Sequence, residues 1–359
     1  MNKVDYQITF NTPAFLGDAE QKSAWRTPPF KALIQHWWRI AVAKEHDYDC
    51  NKIRESEGRL FGHAWLKDIT GKDWAMRSRV RIRLAECKAG SLKTWPKDNH
   101  NVKYPEVKFP VGSQLYLGYG PLDYKKGLKN PLAIKNPPAI KIEENNQLTL
   151  IYPKINEVTF TRVMWLIQWF GTLGGRSRNG WGSVNIKGHG IGENTVLKND
   201  NPVFHAIKRP IYECLKLDWP HAIGTDEQGL LIWQTQERGN WQLVVKDLAQ
   251  IKIKFRTDLP FSKIIPDGFE SRHLLAYPVT KHNMDVWGET GRLANQLRFK
   301  ILRMDNNKFI GIIVHLPCAI PNEMWKKLHN APNVQQQIEI WQKVHNSLNS
   351  QHDLKRIAK

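Results

Sequence analysis

Acidic residues are what this chain has too few of. Against 53 Lys and Arg it sets 34 Asp and Glu, a formal net charge of +19. Such an imbalance argues against cationic partners and favours RNA, DNA or an anionic membrane surface. Cysteine is scarcer still. Cys50, Cys87, Cys214 and Cys318 lie far apart with no CxxC spacing. That excludes a disulfide framework and points to reduced, structural thiols in a cytoplasmic protein. None of the 13 histidines forms an HExxH or pairs with cysteines at zinc spacing, so neither a metal nor a cofactor is expected. No apolar run approaches the length of a membrane span, and MNKVDYQITF lacks a signal-peptide pattern, so no membrane partner is expected.

What is present is tryptophan, glycine and patterned arginine. The 359 residues allow two or three domains, and 15 tryptophans serve as core filler or as stacking platforms. Residues 4–10 alternate as a strand does. Thr27-Pro28-Pro29 opens a helix over 30–44, with Phe30, Leu33, Ile34, Trp37 and Ala41 on one face. Trp37 belongs to that apolar face, whereas Trp38 and Arg39 project further round, beside Lys31 and Gln35. After a bend at Leu60-Phe61-Gly62, residues 76–84 read as one strand. Its two faces are Met76, Val80, Ile82, Leu84 and Arg77, Arg79, Arg81, Arg83. Four like charges in register, with no acid before Glu86, repel one another, and a polyanion relieves that cost.

Residues 88–146 form an irregular insertion, 148–152 a strand, and 158–173 an apolar helix. Then comes Leu173-Gly174-Gly175-Arg176-Ser177-Arg178-Asn179-Gly180-Trp181-Gly182, followed by a strand over 181–186. Glycine lets backbone approach a ligand, arginine forks onto phosphate, and indole offers a face to a base. With no Lys-Ser/Thr after Gly180, and a helix rather than a strand before it, this is neither a Walker A nor a Rossmann loop. The order β–α–β, insertion, β–α–glycine loop–β is that of a βαββαβ, ferredoxin-like domain of the kind the RNA-recognition module shares. Beyond Gly188-His189-Gly190, a helix is expected at 204–217, hairpins at 230–235/241–245 and 297–304/309–316, and a closing helix at 322–348. A second, degenerate domain of the same kind is expected, although no internal sequence repeat is legible.

Arg26-Thr27-Pro28-Pro29-Phe30-Lys31, Trp37-Trp38-Arg39, Leu60-Phe61-Gly62, Arg79-Val80-Arg81-Ile82 and the Gly174–Gly182 loop occur in that order. This series resembles the RAMP superfamily of CRISPR effector proteins, most of all the family of the first-numbered subunit of the Cmr (type III-B) complex. The match covers residues 1–190; in the second half only Arg292-Leu293-Ala294 and the hairpin after it contribute. Ala32, Gln35 and His36 stand where that family tends to have glycine, arginine and phenylalanine.

The resemblance implies an α+β protein of two tandem ferredoxin-like domains, 1–190 with the 88–146 insertion and the 174–182 loop, and 191–359 with a C-terminal helix. It implies a non-catalytic subunit of a type III CRISPR ribonucleoprotein in antiviral defence. Its partners would be other Cmr subunits, the 3′ part of the guide RNA, and target RNA. RNA contacts carried over are Arg26, Lys31, Arg39, Arg79, Arg81, Arg176 and Arg178, with Trp38 and Trp181 for stacking or for packing that shapes a groove. Arg77 and Asn179 join them from the arginine strand and the loop. The alternative is a metal-independent endoribonuclease. There a histidine (His36, His46 or His63) or a loop aspartate such as Asp18 would act on RNA; none sits at a spacing that fixes a geometry.

Overall fold

The chain begins with β1 (Asn2–Phe10), whose Val4, Tyr6, Ile8 and Phe10 are buried while Lys3, Asp5 and Gln7 are exposed. α1 (Thr27–Val42) starts on prolines, β2 (Arg81–Leu84) and β3 (Asn146–Tyr152) form the middle, and α2 (Glu157–Phe170) and β4 (Val184–Lys187) complete the unit. The sheet is antiparallel throughout, in the order β4-β1-β3-β2. α1 and α2 pack side by side on one face, closing a core around Trp37, Phe160, Met164 and Phe170. This computed structural model describes every residue except 68–69, 98–99, 127–130, 192–200, 262–267, 280–283 and 359.

The second half repeats the plan. β5 (Gly229–Thr235), α3 (Trp241–Thr257), β6 (Leu297–Arg303), β7 (Phe309–His315), α4 (Val334–Asn349) and β8 (Leu354–Ala358) follow in the same order of types. The antiparallel pairings β8–β5, β5–β7 and β7–β6 give the same strand order as the first unit. Short strands Lys208–Pro210 and Ile223–Asp226 extend the sheet from β5. Side chains of β5–β7 alternate between two cores. Trp233, Phe299, Ile301 and Ile313 pack with α3 and α4, whereas Ile232, Ile312 and Val314 join the core of the first unit. Lys300, fully buried, crosses between the units: its Nζ donates to Ile167 O at 3.2 Å, Gly171 O at 2.5 Å, and Val184 O. The amine thus ties the end of α2 to the start of β4, and burial holds its pKa well below the ordinary lysine value.

Several local expectations give way to tertiary packing. The 76–84 strand is broken: Met76 ends a separate hairpin (His63–Lys67 with Asp73–Met76), and β2 starts at Arg81. The Ser78 hydroxyl donates to Val80 O at 2.7 Å and accepts from Val80 N, turning the chain between them. Only Arg81 and Arg83 therefore keep strand alternation. Residues 241–245 are no strand but the first turn of α3, capped by Asn240 Oδ1 accepting from Leu243 N at 2.9 Å. Its core residues Trp241, Val244, Val245, Leu248, Ile251 and Phe255 keep helical spacing. The 204–217 helix is interrupted: Pro202–Ile207 and Ile211–Cys214 are helical, with the short strand Lys208–Pro210 between them. The 322–348 helix splits into Asn322–Trp325 and α4, with Pro332 between them, and the chain closes as strand β8. The described residues of the 88–146 insertion include two small antiparallel strand pairs and a helix, Ser113–Gly118, that lies on α3. No helix among the described residues is long and apolar enough to cross a membrane.

Candidate nucleic-acid interface

The glycine loop leaves α2 at Gly171 and runs along the seam between the two units. Positive φ at Gly174 and Gly182 is combined with close approach: a Cβ at Gly182 would sit 1.9 Å from Leu173 O, and one at Gly174 2.5 Å from Phe15 O. The backbone N–H groups of Gly175, Ser177, Asn179, Gly180 and Gly182 all donate to backbone carbonyls, Gly175 and Gly182 to Phe15 O and Pro13 O. The loop's own amides therefore hold its shape, and it presents side chains rather than a nest of N–H groups. Phe299 N donates to Arg178 O at 3.0 Å, tying the loop to β6. Arg176 Nε donates to Tyr119 O at 2.5 Å and Asn179 Nδ2 to Leu117 O at 2.8 Å, tying it to the insertion. Lys252 Nζ, from α3, donates to Asn179 Oδ1 at 2.8 Å.

Between these elements opens a cleft of about 1150 Å³. Arg176, Arg178, Lys252, Arg256, Arg272, Arg292 and Arg298 line it, and no carboxylate does so among the described residues. Arg272 is neutralised from behind by Glu106, and Arg256 Nη1 reaches the Tyr116 hydroxyl at 3.4 Å. Arg298 lies over the Trp37 ring at 5.9 Å; burial, with Arg178 alongside, lowers its pKa to about 9. Burial, then the Arg256 and Arg176 charges, brings the Lys252 amine down to about 7. In both cases burial is the larger cause and the neighbouring guanidinium charges add to it. Tyr119, 64% exposed, lines the same cleft and leaves a ring face open. His36 lines it too, with Nε2 buried and without a hydrogen-bond partner. Burial and the nearby Arg298, Arg178 and Arg39 hold its pKa well below the ordinary value.

Of the residues read from sequence, Arg176, Arg178 and Asn179 thus meet in the cleft, together with His36, read as the alternative catalytic residue. The others lie elsewhere. Trp181 is fully buried, with its ring against Phe15, Trp95 and Trp241, and Trp38 is 2% exposed against Phe61. Both indoles are core, so of the two roles expected of them neither position offers a face for stacking. Arg39 is held bidentate by Glu57 at 2.6 and 2.7 Å, and Lys31 donates to Phe61 O at 3.2 Å. Arg26 donates to Gly17 O and lines a neighbouring cavity of about 590 Å³ beside Gly174 and Gly175. Arg77, Arg79 and Arg81 are exposed at and before β2, away from the cleft. Asp18 accepts from Glu20 N and Lys22 N in its own turn; His63 packs on Trp74, and His46 ends a short 3₁₀ turn.

Sequence reading missed Lys252, Arg256, Arg298 and Tyr119. Lys252 and Arg256 stand four apart, a spacing that puts them on one helical face once 241–257 is read as a single helix. Arg298 alternates with the core positions Leu297 and Phe299, a signal present in the strand itself. No cluster of potential metal ligands exists among the described residues.

No family model matches the chain, and no curated protein does. Among solved structures it is similar to Cmr1 from Pyrococcus furiosus in its apo form, at 13% identity and a TM-score of 0.44, over 100% of this chain and 99% of that one. It is also similar to a chain of a type III-B Cmr-beta complex bound to cognate target RNA, at 11% identity and a TM-score of 0.45, over 97% of this chain and 100% of that one. A chain of a type IV-B CRISPR complex is similar over 55% of this chain and 94% of its own, at 14% identity and a TM-score of 0.31.

Proposed function

We propose that this chain is a non-catalytic, RNA-binding subunit of a type III-B CRISPR effector complex, contacting guide and target RNA. The observation that carries the RNA reading is the cleft, where cations from both units converge on a groove whose lining, among the described residues, has no carboxylate and includes the exposed ring of Tyr119. Phosphates would meet Arg176, Arg178 and Arg298, and a base would lie against Tyr119, the combination by which single strands are held without regard to sequence. The CRISPR assignment draws on the ordered motifs from Arg26 to Gly182. The repeated strand order of the two halves supports two tandem ferredoxin-like domains, 1–190 and 191–359. Exchange of both Arg176 and Arg178 for alanine should weaken binding of a single-stranded RNA about 10- to 100-fold whatever its sequence, and reduce the salt slope by about 2. Parental affinity in that variant would sink the assignment.

A second reading, a metal-independent endoribonuclease, draws on His36. Its Nε2 has no hydrogen-bond partner in the wall of the groove and is the nitrogen that would take a proton from a 2′-OH, while the lowered pKa makes it a weak base and places this reading second. It predicts cleavage of labelled RNA by the purified chain in EDTA, lost on His36→Ala. Intact RNA after long incubation excludes it.

A further inference from the structure

The face of the first sheet opposite α1 and α2 carries a different chemistry. Strand alternation turns Val4, Tyr6, Leu148, Leu150 and Leu84 into the core and sends their neighbours to solvent. The register aligns Lys3, Ile151 and Arg81 in one row across the sheet, and Asp5, Thr149 and Arg83 in the next. Arg81 and Arg83, about 7 Å apart along one edge strand, make no ion pair among the described residues. Among the described residues of these strands the face has one carboxylate, Asp5, and it accepts from the Thr149 hydroxyl at 2.5 Å. Among the described residues its strands present no aromatic ring: besides Asp5, the outward positions are Lys, Gln, Thr, Asn, Arg and a single Ile.

A flat cationic surface without rings has nothing on which to stack an unpaired base, in contrast to the cleft with Tyr119. What it matches is a regular array of phosphates whose bases are already paired. We propose that this open sheet face is a second RNA contact, separate from the cleft, that takes the backbone of an RNA duplex through Lys3, Arg81 and Arg83. The proposal rests on the RNA reading above and divides it into two sites, one for unpaired strand and one for duplex. An A-form duplex recognised through its backbone suits such a surface, since shape and phosphates carry most duplex contacts.

The experiment compares two double variants of the full chain, Arg81→Ala with Arg83→Ala and Arg176→Ala with Arg178→Ala. Binding of an oligouridine and of a short blunt RNA duplex is followed by fluorescence anisotropy over a salt series. Because both face arginines are exposed, circular dichroism should show an unchanged fold. The face variant should lose about tenfold or more in duplex affinity, with a salt slope shallower by about 2, and keep its affinity for oligouridine. The loop variant should show the reverse. Unchanged duplex binding by the face variant overturns the proposal, as does an equal loss for both RNAs, which would mean one site rather than two. Failure of the loop variant alone would count against the cleft and leave the face standing.

Discussion

The two sheets share a strand order and differ in what covers them. The first has helices on one side and solvent on the other; the second lies between its own helices and those of the first unit. Their sequences carry this difference. β1 alternates apolar and polar residues, while β5 and β7, GLLIWQT and FIGIIVH, are nearly continuous apolar runs. Duplication of a plan therefore did not duplicate a surface. The second sheet became the internal wall on which the molecule is assembled, and the first retained a face able to meet a partner.

That contrast can be broken most violently in the wall. Trp233, fully buried with Nε1 on Asn349 Oδ1 at 2.8 Å, should cost about 3–5 kcal/mol on replacement by alanine, read as a lower urea midpoint. Lys300→Met should follow at about 1–3 kcal/mol, since it takes a buried donor from Ile167 O and Gly171 O and leaves them only their backbone partners Gly171 N and Val184 N. Its RNA affinity should fall as well, because the glycine loop leaves from that helix end.

A smaller effect lies in pH. The folded Lys252 amine, near 7, is below the ordinary lysine value of about 10.4. Between those values the unfolded chain binds the extra proton, so stability rises with pH across that window. A bound phosphate restores the proton, so RNA affinity should be full below about pH 7 and decline as pH rises through it; Lys252→Met should flatten the profile. Smallest of all, Thr149→Ala on the open face should change unfolding free energy by under about 0.5 kcal/mol. A large loss there would mean the face is part of a packed interior after all.

Much of the first unit was legible because its periods are uncontested: β1, α1 and α2 fall within a few residues of where alternation and helical spacing put them. The glycine loop was legible as a site, although its amides turned out to serve the loop itself. The second unit was harder. A strand covered on both faces loses its alternation, and a short window at Trp241 cannot tell a strand from a helix's first turn. Half of the cleft was hidden for a related reason: Lys252, Arg256 and Arg298 become neighbours of Arg178 only through the packing of one unit on the other. Trp38 shows the converse error, since a helix wedged between a sheet and the Cys50–Phe61 helix buries more than one stripe.

Trp181 joins both halves in one stroke. Its ring touches Phe15 from the first unit, Trp95 from the insertion and Trp241 from the second unit. A chain cut near residue 190 would leave that indole, and the apolar wall of β5 and β7, bare to water. Separately expressed halves should therefore aggregate, and co-expressed halves should recover each other as a split protein does. For anyone re-engineering this scaffold, the smallest exchangeable part is the whole chain.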